Sequence, residues 1–239
     1  MTQPIAPLWP GGPTLEQAPS VFPMGIDSIL LSSFAQLGPR DRLLDLGTGT
    51  GLLPLLLLWD RPQASAAAVE LSPDACQLAR RNFRQNGLEG RTEVLEGDLR
   101  DFRDLIPMGR FDAAVSNPPY FAAGTGHAAG NGLTYARGDG ACSLTELCRA
   151  AAWAVRWGGR FSLVFRPDRL CDLFTALRDS GFEPKRIRPV HHSPADPVNL
   201  ILLEARRGGN PGLLWEQDLY LCEPDGSETP ELRRIYHRL

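Results

Sequence analysis

From position 42 to position 206, short apolar runs of strand character alternate with segments whose apolar residues recur at helical spacing. The strand-like runs are RLLDLG (42–47), SAAAVEL (65–71), TEVLEG (92–97), FDAAVSN (111–117), RFSLVFR (160–166), FEPKRIRPV (182–190) and VNLILLEAR (198–206). Helical patterns fill 51–60, 72–87, 143–159 and 167–181, and another, MGIDSILLSSFAQL, precedes the first strand at 24–37. The caps agree. Ser72 and Ser143 stand at N-cap positions, Glu146 completes a capping box, and Gly87 follows the second crossover helix. Alternation of this kind predicts an α/β fold, a mostly parallel seven-stranded sheet covered on both faces through right-handed crossovers. The short link between the last two strands predicts an antiparallel hairpin that ends the sheet.

At 239 residues and 43% hydrophobic content the chain has enough apolar surface for a substantial core. A single domain is expected over 1–239, with an irregular Pro- and Gly-rich segment and a helix in 1–40, the core in 41–206 and a tail in 207–239. The five cysteines form no C-x-x-C pair, which fits a reducing compartment and gives no sign of a zinc site. No signal-peptide pattern opens the chain, and LLPLLLLW is too short to span a bilayer, so a cytoplasmic protein without membrane contact is expected. The net charge of −3 means that a nucleic-acid partner would need a local basic patch.

In parallel sheets ligands bind beyond the carboxyl ends of the strands, so the residues that follow each strand line one face. After the first strand stand Asp45, Gly47, Thr48, Gly49 and Gly51, whose glycines allow close backbone approach next to a helix N-terminus. The third glycine comes one position too early for the dinucleotide fingerprint, which favours a carboxylate over a pyrophosphate there. Glu70 after the second strand is placed to accept from ribose hydroxyls, and Asp98 after the third from an adenine amino group. Asp98 could equally cap a helix at LRDFRDL. The fourth strand ends in Asn117-Pro118-Pro119-Tyr120. Consecutive prolines forbid further strand pairing there.

In that order and spacing, LLDLGTGTG, VEL, EGDL and SNPPY resemble the class I S-adenosylmethionine-dependent methyltransferases, whose fold is Rossmann-like, and within them the group that methylates planar exocyclic or amide nitrogens. VFPMGIDSILLSSFA, RPDRL, PKRIRPVHH and PDGSETPELRRIY extend the resemblance to the bacterial tRNA (adenine-N6) methyltransferases that modify the adenine beside the anticodon of a valine tRNA. The chain departs from that pattern after the NPPY loop, with Arg137-Gly138-Asp139 where the family tends to have Arg-His-Glu.

The resemblance implies S-adenosylmethionine as cofactor, held by Asp27, Asp45, Gly47, Thr48, Gly49, Gly51, Glu70, Leu71, Asp98, Leu99 and Asn117. It implies catalysis by Asn117, Pro118, Pro119 and Tyr120, a tRNA substrate and no metal. Adenine N6 is a poor nucleophile because its lone pair is delocalised into the ring. Acceptors at the Asn117 side chain and the Pro118 carbonyl would hold its two hydrogens and expose that lone pair, while Tyr120 stacks on the base. Tyr120, Phe121, Arg137, Arg166, Arg169 and Arg188 are the expected tRNA contacts, whereas Arg206 and Arg207 are expected at the opposite edge. Asp27 has a competing reading as an N-cap of the first helix. A protein glutamine N5-methyltransferase presents the same type of nitrogen, but about forty residues before the first strand leave little room for its helical substrate domain. A catalytically idle cofactor-binding module would be expected to lose SNPPY first.

Overall fold

The computed structural model of the chain describes residues 6–19, 21, 24–118 and 142–237. The N-terminal segment, expected to be irregular, contains a short antiparallel ladder of β1 (Ala6–Pro7) and β2 (Thr14–Leu15). Helix α1 (Ile26–Phe34) follows, then β3 (Arg42–Leu46), α2 (Leu52–Trp59), β4 (Ser65–Glu70), α3 (Pro73–Gln85) and β5 (Thr92–Glu96). The chain continues through α4 (Phe102–Leu105), β6 (Phe111–Ser116), α5 (Leu144–Ala154), β7 (Val155–Phe165) and α6 (Leu170–Asp179). It ends with the hairpin β8 (Phe182–His191) and β9 (Val198–Arg207), two short strands β10 (Leu214–Trp215) and β11 (Leu219–Tyr220), and α7 (Pro230–Ile235).

All seven expected strands are present, but among the described residues the main sheet has nine. The tail supplies the other two, since β10 and β11 each pair in parallel with β8. The path across the sheet is β10-β8-β9-β7-β6-β3-β4-β5, with β9 antiparallel to both neighbours and the central strands parallel. From β3 the chain first builds toward β4 and β5, then returns to lay β6 on the other side of β3. The order therefore reverses between β3 and β6, and in open α/β sheets the crevice at such a point is where ligands bind.

Side chains alternate across the sheet. Leu43 joins a core with Leu30, Leu31, Leu55 and Val115, whereas Leu44 and Leu46 join one with Phe111, Leu147, Phe161 and Leu173. Helix α2 is apolar almost all round because Leu52, Leu53, Pro54, Leu55, Leu57 and Leu58 are all buried. One expected boundary moves. The apolar spacing of the 143–159 segment reads as helix to its end, but α5 stops at Ala154 and Val155 opens β7 opposite Phe111. The β-branched Val155 and the left-handed Gly158 (φ 77°) suit a twisted strand better than a helix.

Candidate active site

Between β3 and α2 the chain passes through three glycines with positive φ, Gly47 (80°), Gly49 (56°) and Gly51 (82°). A residue with a Cβ would lose about 1–2 kcal/mol in that conformation. The three serve different ends. A Cβ at Gly47 or Gly49 would meet no atom within 4 Å, so these two keep open space over the loop, whereas a Cβ at Gly51 would lie 2.8 Å from the Phe83 ring. The loop is fastened to the neighbouring strand, because Gly47 N and Thr48 N both donate to Val69 O at 3.0 Å. Glu70 closes it further: Oε2 accepts from Gly49 N and Oε1 from Ser72 N, both at 2.9 Å. A carboxylate offers about four acceptor sites, so Glu70 can take further donors while it holds the loop. Leu71, beside it, leaves 56% of its surface exposed, an apolar patch that a planar ring could cover.

Asp45 is fully buried on β3, yet among the described residues neither carboxylate oxygen has a hydrogen-bond partner, and the buried Thr48 hydroxyl has none either. Burial pushes the Asp45 carboxyl up to about 7, and repulsion from Glu70 adds to the rise. The Thr48 side chain opposes it as a nearby dipole, without reaching hydrogen-bond geometry. Folded proteins pair nearly all buried polar groups, and each unpaired one costs about 1–3 kcal/mol. Two such groups beside an open glycine loop fit a ligand that brings its own donors.

Across the crevice β6 ends at Ser116, whose buried hydroxyl donates to Leu46 O at 2.7 Å and ties the end of β6 to that of β3. Asn117 comes next, half-buried, and its Nδ2 donates to Ser28 Oγ of α1 at 2.9 Å. Pro118 is also half-buried. Pro119, Tyr120, Phe121 and Arg137 lie outside the described residues.

Asp98 takes the capping role that the sequence also allowed. It is the N-cap of a 3-10 turn over Leu99–Asp101 and accepts from Arg100 N at 2.8 Å. Its carboxylate also pairs with the Arg100 guanidinium at 2.6 Å, which holds it below the usual carboxylate range. Leu99 is half-buried, packed on the core of that face. Asp27 is not an N-cap: that position belongs to Gly25, and Asp27 lies in the first turn of α1.

A family model described as the methyltransferase small domain matches residues 14–169, the stretch that holds all of these features. The chain belongs to that family. The methyltransferase is 32% identical to a tRNA1(Val) (adenine(37)-N6)-methyltransferase of Porphyromonas gingivalis over 80% of this chain and 77% of that one. It is likewise 32% identical to a protein of the same name from Tolumonas auensis, over 91% and 89% of the two chains. Among solved structures it resembles a predicted O-methyltransferase of Agrobacterium tumefaciens, with a TM-score of 0.73, 24% identity and coverage of 89% and 96%. TrmN from Thermus thermophilus superposes with a TM-score of 0.55 and 22% identity, covering 75% of this chain and 48% of that one.

The arginines expected at the substrate are not equivalent in the methyltransferase. Arg166 forms an exposed bidentate pair with Asp168, and Arg169 pairs with Asp172 while lying 5.9 Å from the centre of the Phe165 ring. Arg188 departs from the expectation. It donates to Gln217 O at 2.9 Å and to Glu231 at 2.8 Å, with its side chain only 19% exposed, so it fastens the tail to the sheet. Arg206 and Arg207 bond Gly158 O and Ser180 O at the amino-terminal ends of the neighbouring strands, away from the crevice. His191 is held by Asp196 O and Asp218.

Arg81 and Asn82, on α3, have a definite task in the structure. Arg81 grips Glu16, and the fully buried Asn82 donates to Glu16 O and Thr50 O, joining the N-terminal segment to the glycine loop. The sequence signal for Asn82 was a polar residue on the otherwise apolar face of α3 formed by Ala75, Leu78, Ala79 and Phe83.

Proposed function

We propose that the methyltransferase transfers a methyl group from S-adenosylmethionine to the exocyclic N6 of an adenine in tRNA, beside the anticodon, and so works in the cytoplasm. The observation that carries this reading is the reversal of strand order between β3 and β6, where Ser116 ties the end of β6, just before Asn117, to the end of β3, just before a glycine loop beside which the Asp45 and Thr48 side chains have no hydrogen-bond partner among the described residues. The substrate class follows that of the tRNA1(Val) (adenine(37)-N6)-methyltransferases to which the chain is similar. Among the described residues no helix is long and apolar enough to cross a membrane.

The residues present fit the cofactor. The unpaired Asp45 carboxylate suits an ammonium donor, Gly47 and Gly49 leave room for close approach, Glu70 retains acceptor capacity for ribose hydroxyls, and Leu71 offers apolar cover. When bound, S-adenosylmethionine supplies an electrophilic methyl group. The protein's part is positioning. Asn117 Oδ1 and the Pro118 carbonyl accept the two amine hydrogens of adenine and turn its lone pair toward the methyl carbon. Pro118 has no N–H to compete for those acceptors. Nitrogen gains the methyl and releases one proton to solvent after transfer, so no general base is needed before the chemical step.

Asn117→Ala tests the reading. Loss of an acceptor aimed at the reacting amine should lower kcat about a hundredfold or more while cofactor affinity stays within a few-fold. Near-normal methylation of tRNA by this variant would refute the mechanism.

A further inference from the structure

We infer that Ser28 is a positioning residue for methyl transfer, acting through Asn117; this rests on the catalytic role of Asn117 just proposed. An asparagine amide has two nearly isosteric ends with opposite hydrogen-bonding character. The amino group of adenine needs an acceptor, so only the Oδ1 end is productive, and an amide turned by half a revolution would set donors against donors. Something must therefore define the rotation about the last side-chain bond. That torsion has a broad, roughly two-fold profile and defines little by itself.

Among the described residues, two contacts contribute to that definition. The backbone entering Asn117 is anchored by the buried Ser116 hydroxyl on Leu46 O, which fixes where the side chain starts. The side chain is then oriented by Ser28 Oγ, which accepts from Nδ2 at 2.9 Å. With Nδ2 committed to α1, the planarity of the amide places Oδ1 at its other corner.

The anchor is itself rigid. Ser28 lies in the first turn of α1, whose Leu30 and Leu31 are fully buried in the core. At the far end Phe34 lies under the Arg186 guanidinium, 4.4 Å from the ring centre, and Arg186 is locked by Glu204 and Glu216. A contact across 89 residues of sequence thus makes the helix ahead of the sheet part of the catalytic geometry.

The test is a double-mutant cycle on the full-length protein with tRNA as substrate. Ser28→Ala should lower kcat about tenfold, equivalent to about 1.4 kcal/mol in the barrier, while KM for tRNA and the dissociation constant for S-adenosylmethionine stay within about twofold. Ser28→Thr, which keeps the hydroxyl, should recover most of the loss relative to Ser28→Val, a pair of matched shape that also serves if Ser28→Ala folds poorly. In the Asn117→Ala background, Ser28→Ala should remove little more, because the group it orients is gone. Normal kcat in Ser28→Ala beside an impaired Asn117→Ala would overturn the role of Ser28 and leave that of Asn117 intact. A further tenfold loss in the double variant would do the same, since additive effects mean separate action. Near-normal turnover of Asn117→Ala would overturn both.

Discussion

Asp45 gives the proposed cofactor site a definite pH dependence. Burial pushes its carboxyl up to about 7 in the folded protein, well above the usual carboxylate range, and no described residue donates a hydrogen bond to it. Relative to an ordinary carboxylate near 4, that rise corresponds to about 4 kcal/mol. Since the folded-state value is the higher one, the folded state binds this proton more tightly. The charged form weighs against folding above about pH 7, and that penalty fades as pH falls from about 7 toward 4. Cofactor binding runs the other way. An ammonium donor pairs with the ionised form, so affinity should be full above about pH 8 and decline as Asp45 takes up its proton. At pH 5.5 roughly 3% of the unliganded protein is ionised at this site, which predicts binding of S-adenosylmethionine about thirtyfold weaker than at pH 8. Calorimetric titrations at pH 8, 7, 6 and 5.5, in two buffers of different ionisation enthalpy, measure both the affinity and the release of nearly one proton near pH 6. Asp45→Asn should bind weakly at every pH and exchange no proton there. A flat affinity profile in the unsubstituted protein, without proton release, would show that Asp45 does not meet the cofactor as a carboxylate.

Three further outcomes are expected. Gly51→Ala places a Cβ at φ 82° and 2.8 Å from Phe83, so thermal unfolding should show a loss of about 2 kcal/mol or more; an unchanged melting temperature would mean that the loop relaxes freely. Glu70→Ala removes the clasp on Gly49 and Ser72 and should weaken cofactor binding by about 1–3 kcal/mol, whereas calorimetry showing equal affinity would remove Glu70 from the site. The double variant Arg166→Ala, Arg169→Ala should reduce the slope of log tRNA affinity against log salt by about 0.7–0.9 for each lost phosphate contact, and Arg206→Ala with Arg207→Ala should leave it unchanged. A larger change in the second pair would place the RNA on the other end of the sheet.

Much of this arrangement is legible in the order of residues. Strand and helix periods differ, so seven strands stand out, and because parallel strands present their carboxyl ends together, Asp45, Glu70, Asp98 and Asn117 can be assigned to one side before any coordinate is known. What escapes is short or borrowed structure. The strands β10 and β11 are two residues long and exist only because β8 offers an edge, and the β1–β2 ladder lies in a segment rich in Pro and Gly. Val155 continues a helical spacing and still joins β7, since the strand pairing with Phe111 outweighs a local preference.

Sequence alone thus determines the α/β class, the glycine loop and the identity of the chemical groups at the strand ends, all of which follow from local periodicity and residue type. Only the tertiary structure decides how those groups are partnered. Asn117 meets Ser28, Asn82 joins Glu16 to Thr50, Arg188 closes on Glu231, and Asp45 is left without a hydrogen-bond partner among the described residues. The reason is geometric. A hydrogen bond acts over about 3 Å, and whether two side chains far apart in sequence come within that range depends on the packing of whole helices against the sheet, which no local pattern encodes.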